Sequence, residues 1–165
     1  LIEIPVGPFV KEWSLMAQAR VRAARKLKLH DRRIDSTSRS NYEIDRDGVW
    51  GEGAYSLFLP TAEWFKRSDG VDPGWDLTLA DGTKVDVKAT QHQTGNLVAF
   101  SDKADIGALA LVDIVHRNVV LAGWLPNGEW KRVAKRKRGI CKGNYCVGQD
   151  LLYPSGALLE VRRAA

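Results

Sequence analysis

The 165-residue chain is 44% hydrophobic and 27% charged, ordinary proportions for a globular protein, and no repeat or low-complexity linker divides it. One domain over residues 1–165 is therefore the expectation, with a core large enough to need no disulfide framework or structural metal. Lys and Arg number 25 against 20 Asp and Glu, so the net charge of +5 suggests a polyanionic partner, while disordered and collagenous classes are excluded. No apolar run approaches the ~20 residues that span a bilayer, and no signal-peptide-like apolar segment opens the chain. The expected partners include no membrane, and the expected location is cytoplasmic. Cys141 and Cys146 bracket four residues without a second Cys or His pair at matching spacing. They read as reduced thiols of an intracellular protein rather than a disulfide clipping a turn or half a zinc site.

Taken in chain order, the first predicted element is a basic helix over about residues 9–29. Trp13, Met16, Ala17, Ala24 and Leu27 recur at helical spacing, and Arg20, Arg22, Arg25 and Lys26 crowd its second half. Residues 36–41 read as a polar loop. A second helix is expected over 51–65, with Pro60 as a kink or break. Segments 75–79 and 83–88 alternate around Asp81-Gly82, the signature of a β-hairpin. Residues 97–100 read as a third strand, 108–116 and 119–125 as a further strand pair, and about 129–138 as a C-terminal basic helix. The order implies an α/β fold with a central mixed β-sheet flanked by helices.

The chemistry-bearing segment is Trp75-Asp76 followed by Val85-Asp86-Val87-Lys88. Alternate side chains share a strand face, so Asp86 and Lys88 point one way while Val85 and Val87 point into the core. The turn decides whether Asp76 joins them. A two-residue Asp81-Gly82 loop sets Asp76 opposite Val87. A three-residue loop with Gly82 left-handed in a G1 bulge pairs Leu79 with Thr83 and sets Asp76 opposite Asp86. Facing carboxylates repel unless a cation or proton intervenes, and Mg²⁺ takes one or two carboxylates plus waters. The functional reading therefore predicts the bulged hairpin; a surface hairpin with solvated charges is the bland alternative.

This succession resembles the PD-(D/E)XK nuclease superfamily, in which an Asp near one strand end precedes Asp or Glu, any residue, then Lys on the next strand. Asp76, Asp86 and Lys88 match those positions, and Glu52 falls where many members carry a Glu on the preceding core helix. The leading Pro-Asp pair is absent, because two residues separate Pro73 from Asp76. The arrangement looks particularly like small resolvase-type and phage-type endonucleases. The resemblance implies a restriction-endonuclease-like core and Mg²⁺- or Mn²⁺-dependent hydrolysis of DNA phosphodiesters. Asp76, Asp86, the Val87 carbonyl and Glu52, directly or through water, would hold the metal. Lys88 would orient or help deprotonate the attacking water.

A second signal is the run Lys131, Arg132, Lys135, Arg136, Lys137 and Arg138, six cations against a net charge of +5. On one helix, positions 131, 135 and 138 would share a face suited to a phosphate backbone. Arg22, Arg25, Lys26 and His92 are further candidate nucleic-acid contacts. The small chain favours recognition of DNA shape, such as a branch or flap, and a homodimer would supply a second cut. The alternative is a catalytically inactive nucleic-acid-binding protein on the same fold.

Overall fold

A computed structural model describes residues 1–26, 39–65, 73–136 and 145–161. Strand β1 (Ile2–Pro5) and a 3-10 turn lead into helix α1 (Val10–Lys26), followed by α2 (Asn41–Phe58), β2 (Glu63–Trp64), β3 (Leu77–Thr78) and β4 (Lys84–Thr90). Then come β5 (Leu97–Val98), β6 (Ile106–Asp113), β7 (Asn118–Pro126), α3 (Asn127–Val133), β8 (Lys135–Arg136), β9 (Tyr145–Val147) and α4 (Leu158–Val161). Six strands form one mixed sheet in the order β1-β7-β6-β4-β3-β2, in which only β4 and β6 run parallel. A small antiparallel sheet, β5-β9-β8, stands apart from it. The fold is α/β, as the order of elements implies.

Helices α1 and α2 cover one face of the large sheet. Trp13, Ala17, Val49, Trp50 and Ala54 join Val85, Val87, Ala108, Ala110, Val119 and Leu121 in one apolar cluster. On the opposite face Leu109, Leu111, Ala122 and Leu125 pack with Leu97 and Val147 of the small sheet and with Trp130 of α3. Because β6 and β7 are covered on both sides, their sequences are nearly continuous apolar runs instead of alternating ones. A bulge interrupts their pairing near Ala110, where Gly123 takes a positive φ of 150°. Tyr55 from α2 lies with its hydroxyl 3.1 Å from the Gly123 carbonyl and 3.2 Å from the Leu109 carbonyl, and Ser155 donates to Leu121. The buried polar atoms around the bulge are thereby matched.

Three helix expectations need correction. The second helix begins ten residues earlier than residue 51 and ends before Pro60, and Glu63–Trp64 is an edge strand. Its start is set by a capping box: Ser40 Oγ accepts from the Glu43 N–H, and the Glu43 carboxylate accepts from the Ser40 N–H at 2.7 Å. Its glycines disguise it, because they are poor helix formers. Tertiary packing uses them. A Cβ on Gly51 would lie 3.0 Å from the Cβ atoms of both Ala89 and Ala110, and one on Gly53 would lie 2.4 Å from the Trp13 ring. The C-terminal helix expected over 129–138 is Asn127–Val133. Ala134 turns extended and Lys135–Arg136 pairs with β9, so positions 131 and 135 do not share a helix face, and position 138 lies outside the described residues. The N-terminal helix begins at Val10, with Phe9 in the 3-10 turn; residues 27–29 lie outside the described ones. Residues 97–100 supply only a two-residue strand, and it belongs to the small sheet.

The close contact at Gly53 gives a direct test. Gly53→Ala should lower stability in urea unfolding by about 1–3 kcal/mol through overpacking against Trp13. Gly128→Ala in α3, where an added Cβ meets nothing within 4 Å, should instead raise it by about 0.4–1 kcal/mol.

Candidate active site

The β3–β4 hairpin takes the bulged form. Leu77 pairs with Val85 and Thr78 with Lys84, and the Leu79 N–H donates to the Thr83 carbonyl. Gly82 closes a turn onto the Leu79 carbonyl at 2.9 Å with a positive φ of 87°, the left-handed residue that a G1 bulge requires. Asp81 supports the turn by accepting from the Thr83 N–H at 2.9 Å. Asp76 lies one residue before β3, and its N–H donates to the Val85 carbonyl at 2.8 Å.

Both carboxylates are buried, Asp76 at 1% and Asp86 at 4% exposure. Asp76 Oδ2 accepts from the Val87 N–H at 2.7 Å. The Lys88 ammonium donates to both oxygens of Asp86, at 2.7 and 2.9 Å, and the Ser101 N–H donates to Oδ2 at 2.9 Å. Asp86 and Lys88 therefore share a face, as strand alternation demands, while Val85 and Val87 lie in the core. Backbone groups of successive residues face opposite edges of a strand, so those of alternate residues face the same one. The Val85 carbonyl accepts from the Asp76 N–H, so the Val87 carbonyl also faces the β3 edge, past the end of the β3 ladder.

Glu52 stands on α2, buried to 3% exposure. Arg20 from α1 donates to both its oxygens, at 2.7 and 2.5 Å, and the Trp64 indole donates to Oε2 at 3.1 Å. Burial by itself lowers the Arg20 pKa, but hydrogen bonds and charge from Glu52, with the charges of Asp76 and Asp45, outweigh it and move it upward. The guanidinium is thus a fixed cation paired with Glu52. Nothing in the sequence distinguishes Arg20 from its exposed neighbours Arg22, Arg25 and Lys26 except its position relative to Trp13 and Ala17 on the buried face.

A second ionic node lies one turn earlier on α2. Asp47, 1% exposed, is paired with Arg39 and Arg46 and accepts from the Gln91 amide at 2.8 Å, which ties α2 to the segment after β4. The sequence reading missed Asp47, since it stands among Glu43, Asp45 and Arg46 and nothing in that run marks which acid is buried.

Among the described residues, no three His, Cys, Asp or Glu side chains converge into a metal-binding group. The donor set nonetheless suits a hard divalent ion: one carboxylate just before β3, one on β4 and a carbonyl at the β4 edge are all oxygen ligands. Of the other candidates, Arg22, Arg25 and Lys26 are exposed on α1, and the first two line a cleft of about 340 Å³ with Gln18, Val21 and Tyr42. Lys131 and Arg132 are exposed on α3, with Lys131 paired to Asp102, and Lys135 is exposed on β8. Arg136 lies on β8, whereas Lys137, Arg138 and Cys141 fall outside the described residues. His92 is exposed beyond the end of β4, and Cys146 is buried. No helix among the described residues is long and apolar enough to cross a membrane. No protein-family model matches the sequence, and comparison with curated proteins finds no match.

Removing one member of a buried ion pair leaves an uncompensated charge. Arg20→Met should therefore cost about 3–5 kcal/mol in urea unfolding. Combining it with Glu52→Gln should recover most of that loss, because the remaining pair is uncharged.

Proposed function

We propose that this protein is a divalent-metal-dependent endonuclease that hydrolyses DNA phosphodiester bonds on a restriction-endonuclease-like core. The observation that carries the reading is the buried Asp76–Asp86 pair at the bulged hairpin, with the Lys88 ammonium on the Asp86 carboxylate. The same residues are those that resemble the PD-(D/E)XK pattern. One feature stands outside that pattern's helix–strand–strand–strand–helix–strand order: the crossover from β4 to β6, residues 91–105, contains no helix.

Asp76, Asp86 and the Val87 carbonyl would hold Mg²⁺ or Mn²⁺. When bound, such an ion lowers the pKa of a coordinated water and neutralises phosphate charge. Lys88 is one-third exposed, so its ammonium reaches solvent while staying tethered to Asp86. From there it orients the attacking water and steadies charge developing on the phosphate. Val87 and Ser101 fix the two carboxylates through their N–H groups, which limits their rotation. The exposed cations of α1, α3 and β8 supply the sequence-independent hold on the phosphate backbone.

The test is a labelled panel of duplex, flap, four-way-junction and single-stranded DNA, incubated with Mg²⁺ or EDTA. Cleavage should need the metal, and Lys88→Met and Asp86→Asn, checked for folding by circular dichroism, should each lower the rate by about 10²-fold or more. Binding without cleavage, in Mn²⁺ as well, would instead identify a nucleic-acid-binding protein on the same fold. Neither binding nor cleavage would refute both readings.

Binding has its own signature. Replacing Lys131, Arg132 and Lys135 together by Ala should weaken duplex binding across unrelated sequences. It should also reduce the slope of log affinity against log salt by about 3, measured by fluorescence anisotropy.

A further inference from the structure

Among the described residues, three lysines stand around the segment that carries Asp76 and Asp86, and two of them are engaged. The Lys88 ammonium is held by Asp86, and that of Lys84 lies 4.3 Å from the centre of the Trp75 ring. The third, Lys103, comes from the β4–β6 crossover and is exposed. Its Cβ and Cδ lie 3.4 and 3.2 Å from the point that a Cβ on Gly74 would occupy, two residues before Asp76. Among the described residues no carboxylate pairs with its ammonium. The stem is thus laid along the chain leading into Asp76, while the charged end is left in water.

The loop that carries Lys103 is fastened on two sides. Toward the acids, the Ser101 N–H donates to Asp86 Oδ2 at 2.9 Å, and the Lys103 N–H donates to Ser101 Oγ at 3.2 Å. Toward α3, the Asn127 amide donates to the Ala104 carbonyl at 2.9 Å, and the Asn127 N–H to the Asp105 carbonyl at 2.8 Å. Asp102, the acid between Ser101 and Lys103, is paired with Lys131 of α3 at 2.9 Å. Gly74 packs directly on this loop: an added Cβ would lie 2.6 Å from Ser101 Oγ, and its positive φ of 94° favours glycine as well. Lys103 therefore stands on a loop that joins the buried acids to the exposed cations of α3.

We infer that Lys103 is a substrate-holding residue of this site, contacting a phosphate that flanks the one cleaved. This rests on the metal-dependent reading above. A divalent ion neutralises the phosphate it binds, so the flanking phosphates are left to the protein's own cations. Lys88 and Lys84 are held to Asp86 and to the Trp75 ring, whereas the Lys103 ammonium has no such anchor. Its stem is already placed against Gly74, which lowers the side-chain entropy lost when the ammonium meets an anion.

The test uses the full chain, Mg²⁺ and whichever DNA of the panel the wild type cleaves fastest, with its cut position mapped. Neutral methylphosphonates then replace the phosphates flanking the cut, one at a time, and cleavage is followed at subsaturating enzyme. Lys103→Met keeps the stem and removes the charge; it should cleave unmodified DNA about tenfold more slowly, with Lys103→Arg within about threefold of wild type. One flanking methylphosphonate should slow the wild type about tenfold but Lys103→Met by about twofold at most, because the contact is already gone. Lys84→Met should keep the wild-type response to that phosphate. A Lys103→Met that cleaves unmodified DNA at the wild-type rate would overturn the inference. So would a slowed Lys103→Met that keeps the wild-type response to every methylphosphonate, since its defect is then structural. Loss of the response in Lys84→Met instead of Lys103→Met would assign the contact to Lys84 and overturn it as well. A wild type that cleaves none of the panel refutes the metal-dependent reading itself, and this inference with it.

Discussion

Four carboxylates are buried among the described residues, Asp47, Glu52, Asp76 and Asp86, and the need to compensate each one organises the protein around them. An isolated ionised carboxylate is not tolerated in a low-dielectric interior. Asp47 is answered by Arg39, Arg46 and the Gln91 amide, Glu52 by Arg20 and the Trp64 indole, and Asp86 by Lys88 and the Ser101 N–H. Asp76 is held by the Val87 N–H and lies in the field of Arg20. These partners come from α1, the residue before the α2 cap, α2 itself, the edge strand β2, the hairpin and the β4–β6 crossover. The acids therefore tie together elements that are distant in sequence.

That arrangement depends on how closely α2 approaches the sheet. Gly51 faces Ala89 and Ala110 with no space for a methyl group, and Gly53 lets the Trp13 ring lie against the helix. Glu52 sits between these two contacts, so its direction is fixed by packing on either side. Trp13 also meets Trp64 edge-on, with ring centroids 5.9 Å apart, which holds the donor of the third Glu52 hydrogen bond in place. Small residues thus position the acidic site without contacting it.

The charge pattern divides by depth. The cations that answer the buried acids are inward or half-covered, whereas those suited to a phosphate backbone are exposed: Arg22, Arg25 and Lys26 on α1, Lys131 and Arg132 on α3, and Lys135 on β8. Arg20 and Arg22 are two residues apart on one helix and belong to different groups. A count of basic residues along α1 merges them, although burial makes one a counter-ion and the other a surface charge.

Local rules sufficed for the hairpin, the two central strands and the Asp86–Lys88 face. Strand alternation has a period of two, so the shared face of Asp86 and Lys88 follows from neighbours in the chain, whereas the Asp81-Gly82 turn allowed two registers and only the functional reading favoured the bulged one. The same reasoning named Asp76, Asp86 and Glu52, which are buried along α2 and the hairpin, and Lys88, which is one-third exposed with its ammonium on Asp86. It failed where packing outweighed propensity. The glycines that make α2 look discontinuous are what its contacts with Trp13, Ala89 and Ala110 require. The basic run after Trp130 leaves the helix at Ala134 because Lys135 and Arg136 pair with β9. Most of all, the sequence shows the acids on α2 without showing which cations answer them. Arg20 lies 32 positions from Glu52, and the choice of Arg20 rather than a neighbouring arginine is made only when α1 packs against α2. Composition and spacing determine which groups are present; tertiary contact decides which of them neutralise one another, because electrostatic pairing depends on distance in space.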